Sequence, residues 1–304
     1  MNKKMPGVPE SAQTEESARA FLESILWPEG PVCPHCGSVE AYRMTAKADS
    51  SRPGRKGLCR CRACKKQFTV TVGTIFEGSH IPLQKWLMAV HLMTSSKKGI
   101  SAHQLHRMLG ITYKAAWFMA HRVRHAMKEG PLSLKLRGKV EVDETYIGGQ
   151  QKNRSNAIRK DGIVPRKTQV VALVTRTGKA RAFPVRNTGR EQLHNTIKEN
   201  VRRDSTVSTD QWGAYAGIGD SFAGGHHTVN HGISQYVKAG NIHTNTAESF
   251  FSLLKRGIVG TFHHISNQHL DGYCGEFSFR WNMKKSSDRE RAIAVLSASF
   301  GKRL

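Results

Sequence analysis

Apolar residues recur at helical spacing through the first part of the chain and at alternate positions further on. Residues 17–26 place Ala18, Phe21, Leu22 and Ile25 on one helical face. The polar, Pro- and Gly-containing residues 1–16 ahead of them are expected to be mobile. Residues 82–128 read as helical, with a first helix from Lys85 to Thr94. Ser101 is placed to cap a second helix that Gly110 ends, and Thr112 to cap a third. Along residues 113–127 the inner positions are Ala116, Met119, Ala120, Val123 and Met127, which leaves Lys114, Arg122 and Arg124 outward. This is a helix-turn-helix pattern whose last helix would enter a DNA major groove. An ordinary helical hairpin satisfies the same spacing. Residues 129–138 read as a linker.

From residue 139 the period changes to two. In residues 140–149, Val140 and Val142 share one strand face and Glu141 and Asp143 the other, with Glu144 turned away from Asp143. Residues 168–185 read as two strands joined at Thr177-Gly178. An amphipathic helix over 189–201 buries Leu193, Ile197 and Val201, and a short strand over 205–210 ends in Asp210. Three strands, a helix and a strand ending in a carboxylate follow the ribonuclease-H-like order. A later helix carries Glu248 and Lys255, which are two turns apart and so share a face, with Asn245 one turn before Glu248.

Composition sharpens this picture. The 304 residues suit two or three domains, and 38% hydrophobic content suffices for a real core. Lys and Arg number 47 against 23 Asp and Glu, a net charge of +24. Such a surplus favours a polyanionic partner, nucleic acid above all. The cations are spread beside foldable segments: Lys135, Arg137, Lys139, Arg154, Arg159, Lys160, Arg166, Lys167, Arg202, Arg203, Lys255 and Arg256. They suggest a broad binding surface more than a solvated arm. No apolar run approaches the roughly 18 residues of a membrane span, and the first residues lack the apolar core of a secretory leader. A cytoplasmic protein, nucleoid-associated when bound to DNA, is expected.

Of the six cysteines, four form two C-x-x-C pairs, Cys33/Cys36 and Cys61/Cys64. Each pair offers two thiolates from one tight turn, and two turns complete a tetrahedron around Zn²⁺ with no open position, so the zinc should be structural. Cys59 could stand in for Cys61 only by breaking the C-x-x-C spacing, and His35 inside the first turn is read as exposed. Cys274 stands alone and is read as a buried apolar residue.

Three carboxylates, Asp143, Asp210 and Glu248, gathered from a strand, a strand end and a helix, would repel one another unless divalent cations neutralised them. Carboxylate oxygens suit Mg²⁺, and two such ions support phosphoryl transfer without a protein nucleophile. Lys255 could hold a phosphate nearby. Each residue taken alone is as well explained as a surface or turn residue; it is the set and its order that carry the inference.

The segments CPHCG (33–37), CRACKKQFTVTVGTIFEGSHIPL (61–83), VEVDETYIGG (140–149), STDQWGAY (208–215) and HTNTAESFFSLLKRGIVGTFHHIS (243–266) resemble the DDE-type bacterial insertion-sequence transposases with an amino-terminal zinc ribbon. The resemblance spans roughly residues 17–282. It implies a multidomain chain: a zinc ribbon with its preceding helix over 17–80, a helix-turn-helix DNA-binding segment over 81–130, and an α/β ribonuclease-H-like catalytic domain with a mixed sheet over 138–285. It implies cut-and-join chemistry on double-stranded DNA, at element ends and target, with two Mg²⁺ or Mn²⁺ ions. Water would attack a phosphodiester at the element end, and the freed 3′-OH would attack target DNA. By position, Asp143 and Asp210 are the first two metal ligands, Glu248 the third with Asn245 as the alternative, and Lys255 the lysine that follows. Two ends must meet, so a homodimer or larger assembly on DNA is implied. The rival readings are a zinc-ribbon regulator with a dead acidic domain and a ribonuclease-H-like nuclease that cuts without joining.

Overall fold

A computed structural model of the protein describes residues 8–44, 56–130, 133–148, 167–229 and 243–303. Arg154, Arg159, Lys160, Arg166 and Gly149 lie outside the described residues. The chain divides into two compact units, Met1–Met127 with Ser286–Leu304, and Lys128–Lys285.

The first unit opens with α1 (Val8–Ser11) and α2 (Glu15–Leu26). The mobile amino terminus expected through residue 16 is therefore corrected for its described part. Val8 is buried, and Thr14 starts α2 with a capping box: its hydroxyl accepts from the Ser17 amide at 3.0 Å while the Ser17 hydroxyl accepts from the Thr14 amide at 3.1 Å. Two amides left unpaired at the helix start are thus satisfied reciprocally. Ala18, Phe21 and Leu22 are buried, and Trp27, just past the helix, meets Phe68 edge to face at 5.7 Å.

Strands β1 (Ala41–Arg43), β2 (Cys59–Cys61) and β3 (Gln67–Phe68) form an antiparallel sheet. Residues 67–72 alternate polar and apolar side chains as a strand would, yet only the first two keep strand form. Beyond Phe68 the chain turns, with the Val72 amide donating to the Thr69 carbonyl at 3.0 Å and the Thr69 and Thr71 hydroxyls 2.9 Å apart. Hydroxyls that bond locally compete with the ladder for backbone partners.

Helices α3 (Leu83–Ser95), α4 (Ala102–Leu109) and α5 (Tyr113–Met127) follow. Ser101 accepts from the Gln104 amide at 3.2 Å, Gly110 ends α4 in the left-handed conformation at φ 58°, and Thr112 accepts from the Ala115 amide at 3.2 Å. Each punctuation residue does the work its chemistry suits. The outward face of α5 differs from expectation. Arg122 directs one guanidinium nitrogen to the carbonyls of Ile75 and Glu77, both at 3.0 Å, and Arg124 is only 2% exposed. Of the three cations expected outward, only Lys114 is exposed; beside it stand Tyr113 and Phe118.

The second unit is built on a five-stranded sheet of order β6-β5-β4-β7-β8. Its strands are β4 (Lys139–Ile147), β5 (Thr168–Thr175), β6 (Ala180–Val185), β7 (Thr206–Asp210) and β8 (His226–Val229). β5 runs antiparallel to both β4 and β6; β7 pairs parallel with both β4 and β8. The parallel crossover from β6 to β7 needs a helix, and α6 (Arg190–Asn200) provides it. Leu193 and Ile197 of α6 cover one face of the sheet with Val140, Val142, Val171, Leu173 and Val207. On the other face, α7 (Asn245–Gly257) and α8 (Asn267–Asn282) bring Ala247, Phe250, Phe251, Leu254, Leu270 and Phe277 onto Val170, Ala172 and Val174. Both faces of β5 are buried, which explains its nearly continuous apolar run. The presumed linker is part of this core: Leu136 is buried and bridges to Val201.

The chain then returns to the first unit as α9 (Asp288–Ser297), capped by Ser287 and packed on α2, α3 and α5. The tail closes on the Gly73 region, with the Gly301 amide on the Gly73 carbonyl at 2.8 Å.

Candidate active site

The four cysteines of the paired motifs converge. Their sulfurs all lie within 4.8 Å of one another, with Cys33 and Cys64 at 3.6 Å and Cys36 and Cys61 at 3.7 Å. A tetrahedron with Zn–S of 2.3 Å requires sulfur separations of about 3.8 Å. The donor set therefore fits a structural Zn²⁺. The two turns are built alike. The Cys33 amide donates to the Ser38 carbonyl at 2.9 Å and the Cys61 amide to the Lys66 carbonyl at 3.0 Å. Each turn is followed by a left-handed residue, Gly37 at φ 74° and Lys65 at φ 62°. The Cys64 amide points at the Cys61 sulfur from 3.5 Å, a hydrogen bond that favours the thiolate a metal needs. Cys59 is buried outside the quartet, His35 is exposed, and Cys274 is a buried thiol whose pKa burial raises.

In the second unit, strand alternation puts Asp143 on the face covered by α7, while Val140 and Val142 face α6. Burial pushes Asp143 up to about 6, against a 2.8 Å hydrogen bond from the Glu144 amide. Repulsion from Asp210 and Glu248 adds to the rise, and attraction to Lys255 opposes it. The structure thus brings the four ionisable residues singled out in the sequence into one electrostatic neighbourhood. Asp210 closes β7, and its carboxylate accepts from the Trp212 amide at 3.1 Å. Glu248 and Lys255 lie on the exposed side of α7, anchored by Phe250, Phe251 and Leu254 beneath. Asn245 is the first residue of α7, and its side-chain oxygen is buried without a hydrogen-bond partner.

Among the described residues, only the cysteine quartet has three or more ligand atoms mutually within 4.8 Å, so the three carboxylates stand further apart. Repulsion keeps such groups apart, and ligands that serve two ions about 3.5–4 Å apart need not all meet at one point.

Two neighbours, whose faces were legible in the sequence, take partners that were not. Glu144 does turn to the opposite face, where it accepts a hydrogen bond from the Tyr215 hydroxyl. Burial raises it to about 7; the Tyr215 bond lowers it, and Asp210 and Asp143 raise it further. Glu141 shares the face of Asp143 and is fully buried, where it meets the amino terminus of α7. The sequence signal was its position in an alternating strand, which gave its face but not its partner.

Residues 135–282 match the ISXO2-like transposase domain, and residues 13–67 match the transposase zinc-ribbon domain. Over these two stretches the chain is similar to insertion-sequence transposases. A protein in transposable element ISH50 of Halobacterium salinarum is 28% identical over 298 residues, which cover 94% of this chain and 97% of that protein. The first match holds Asp143, Asp210, Glu248 and Lys255, and the second holds all four zinc-site cysteines. The transposase matches support DNA binding, and in the second unit Lys135, Arg137, Lys139, Lys167, Arg202, Arg203, Lys255 and Arg256 are exposed. Among the described residues no helix is long and apolar enough to cross a membrane.

Proposed function

We propose that this chain is a transposase that binds the terminal inverted repeats of its element, cleaves the ends and joins their 3′-OH groups to target DNA. The observation that carries the reading is the convergence of carboxylates from separate elements, buried Asp143 on β4 with Asp210 at the end of β7 and Glu248 on α7 near enough to act on its charge, in a chain of net charge +24. Like charges gathered on two inner strands and the helix beside them favour a cation, and oxygen-only donors favour Mg²⁺ or Mn²⁺. Asp143, Asp210 and Glu248 would hold two such ions, which when bound stabilise the attacking and leaving oxygens of a phosphodiester. Lys255, two turns beyond Glu248, would hold a non-bridging phosphate oxygen and align the phosphorus. The strand order of the second unit, with three antiparallel strands followed by two parallel ones, supports a ribonuclease-H-like catalytic domain over 138–285.

The ribbon over 17–80 and the helices over 81–130 would read the repeats. In α5 that role falls to Tyr113, Lys114 and Phe118 at the exposed face, since Arg122 is tied to Ile75 and Glu77. Two element ends would be paired by a homodimer or larger assembly.

The third ligand is tested by titrating Mn²⁺ in a cleavage and joining assay with Glu248→Gln and Asn245→Ala. Loss of at least about 100-fold in joining with Glu248→Gln alone supports Glu248. The same loss with Asn245→Ala alone moves the ligand to the buried, unpartnered amide oxygen.

A further inference from the structure

We propose that Glu141 is a positioning residue, which clamps the amino terminus of α7 to β4 and so sets Glu248 opposite Asp143. The proposal rests on the reading of Glu248 as a metal ligand.

A helix leaves its first amides without internal partners, and a Ser, Thr, Asp or Asn at the N-cap usually takes the second and third of them. Thr244 occupies that position in α7, yet its side chain makes no cap bond. Glu141 replaces it from another element. One carboxylate oxygen accepts from the Thr246 amide at 2.8 Å and the Ala247 amide at 3.2 Å. The other accepts from the Thr246 hydroxyl at 3.0 Å and from Arg176 Nε at 3.2 Å, and His243 Nδ1 lies 3.1 Å from it. The carboxylate also meets the positive end of the helix dipole. The site is fully buried, so these partners replace water.

The placement links the acids. Asp143 is two residues beyond Glu141 on the same strand face, and Glu248 is two residues beyond Thr246 on α7. Any slip of the helix along the sheet would break the clamp before it separated the ligands further. A local cap would stabilise α7 equally well but would not fix its register against β4. Groups that orient metal ligands through hydrogen bonds commonly tune metal affinity about 10- to 100-fold.

The test uses the full chain and three variants, Glu141→Gln, Thr246→Val and Glu248→Gln. Amide hydrogen exchange reads the clamp, and Mn²⁺ titration followed by electron paramagnetic resonance reads the ligands. For Glu141→Gln the proposal expects faster exchange across residues 244–248 with β4 and β5 still protected. It also expects Mn²⁺ affinity at least about tenfold weaker. Joining should fall at low Mn²⁺ and recover when Mn²⁺ is saturating. Thr246→Val, which keeps the buried charge paired, should show the same pattern in smaller measure, and carries the test if Glu141→Gln does not fold. Faster exchange with wild-type Mn²⁺ affinity would overturn the proposal, because Glu141 would then be a cap alone. Weakened Mn²⁺ binding in Glu248→Gln but in neither clamp variant would remove the positioning role and keep the ligand. Unchanged binding in Glu248→Gln would remove the ligand reading and the positioning role with it.

Discussion

Asp143 shows how burial and like charge act together on one side chain. Its carboxyl titrates near 6, above its ordinary range, so between about pH 4 and 6 the folded chain holds a proton that the unfolded chain has lost. Stability of the protein without Mg²⁺ or Mn²⁺ therefore falls as pH rises through this window and stays lower above it. Glu144, raised to about 7, extends the decline. Melting curves of wild type and Asp143→Asn, with zinc retained, should diverge as pH rises from about 4 to 7, the wild type losing more, and Mn²⁺ should close the gap at the upper end. Parallel curves would show that Asp143 does not carry this strain. The acids and their faces were legible because a strand alternates and a helix repeats. The partners were not: no pattern in the chain distinguishes Glu141, buried under five polar contacts, from an edge carboxylate in water. Arg122 was misjudged for the related reason that periodicity locates a face but not the carbonyls of Ile75 and Glu77 waiting beneath it.

Among the elements, the zinc turns were the most legible, since two C-x-x-C pairs leave little freedom about what they hold. What the spacing could not show is that both turns share one backbone, down to the left-handed residue after each. Lys65 fills in the second turn the place of Gly37 in the first, at the steric cost of a side chain in that conformation. Lys65→Gly should raise the melting temperature of the amino-terminal unit, worth up to about 1 kcal/mol, whereas a lower value would mean that the Lys65 side chain has a compensating role. Cys64→Ser should release the zinc and expose the ribbon amides to exchange, since structural zinc supplies on the order of 10 kcal/mol of folding free energy to such modules. Unchanged metal content would count against a four-thiolate site. Strand β3 is short because Thr69 and Thr71, although they alternate with apolar residues as in a strand, bring hydroxyls that favour a turn. The helix α9 carried no functional motif in the sequence, yet it completes the helical core of the first unit.

For the whole molecule, charge and element order pointed the same way. A net charge of +24 carried on folded surfaces predicts DNA binding dominated by phosphate contacts. Affinity for an element-end duplex should fall by about 10³-fold or more between 50 and 200 mM salt if six or more phosphates are neutralised. A flat salt response would place recognition elsewhere. The division into two units was only partly visible, because the chain leaves the first unit after Met127 and re-enters it at Ser286. Local periodicity carries no record of such a return. The most direct test of the account is strand transfer of a labelled element-end duplex into plasmid DNA with Mg²⁺, comparing wild type with Asp210→Asn. The account predicts joined product from the wild type and none from the variant, with end binding equal in both. Joining at wild-type level by Asp210→Asn, or cut ends that the wild type never joins, would contradict it.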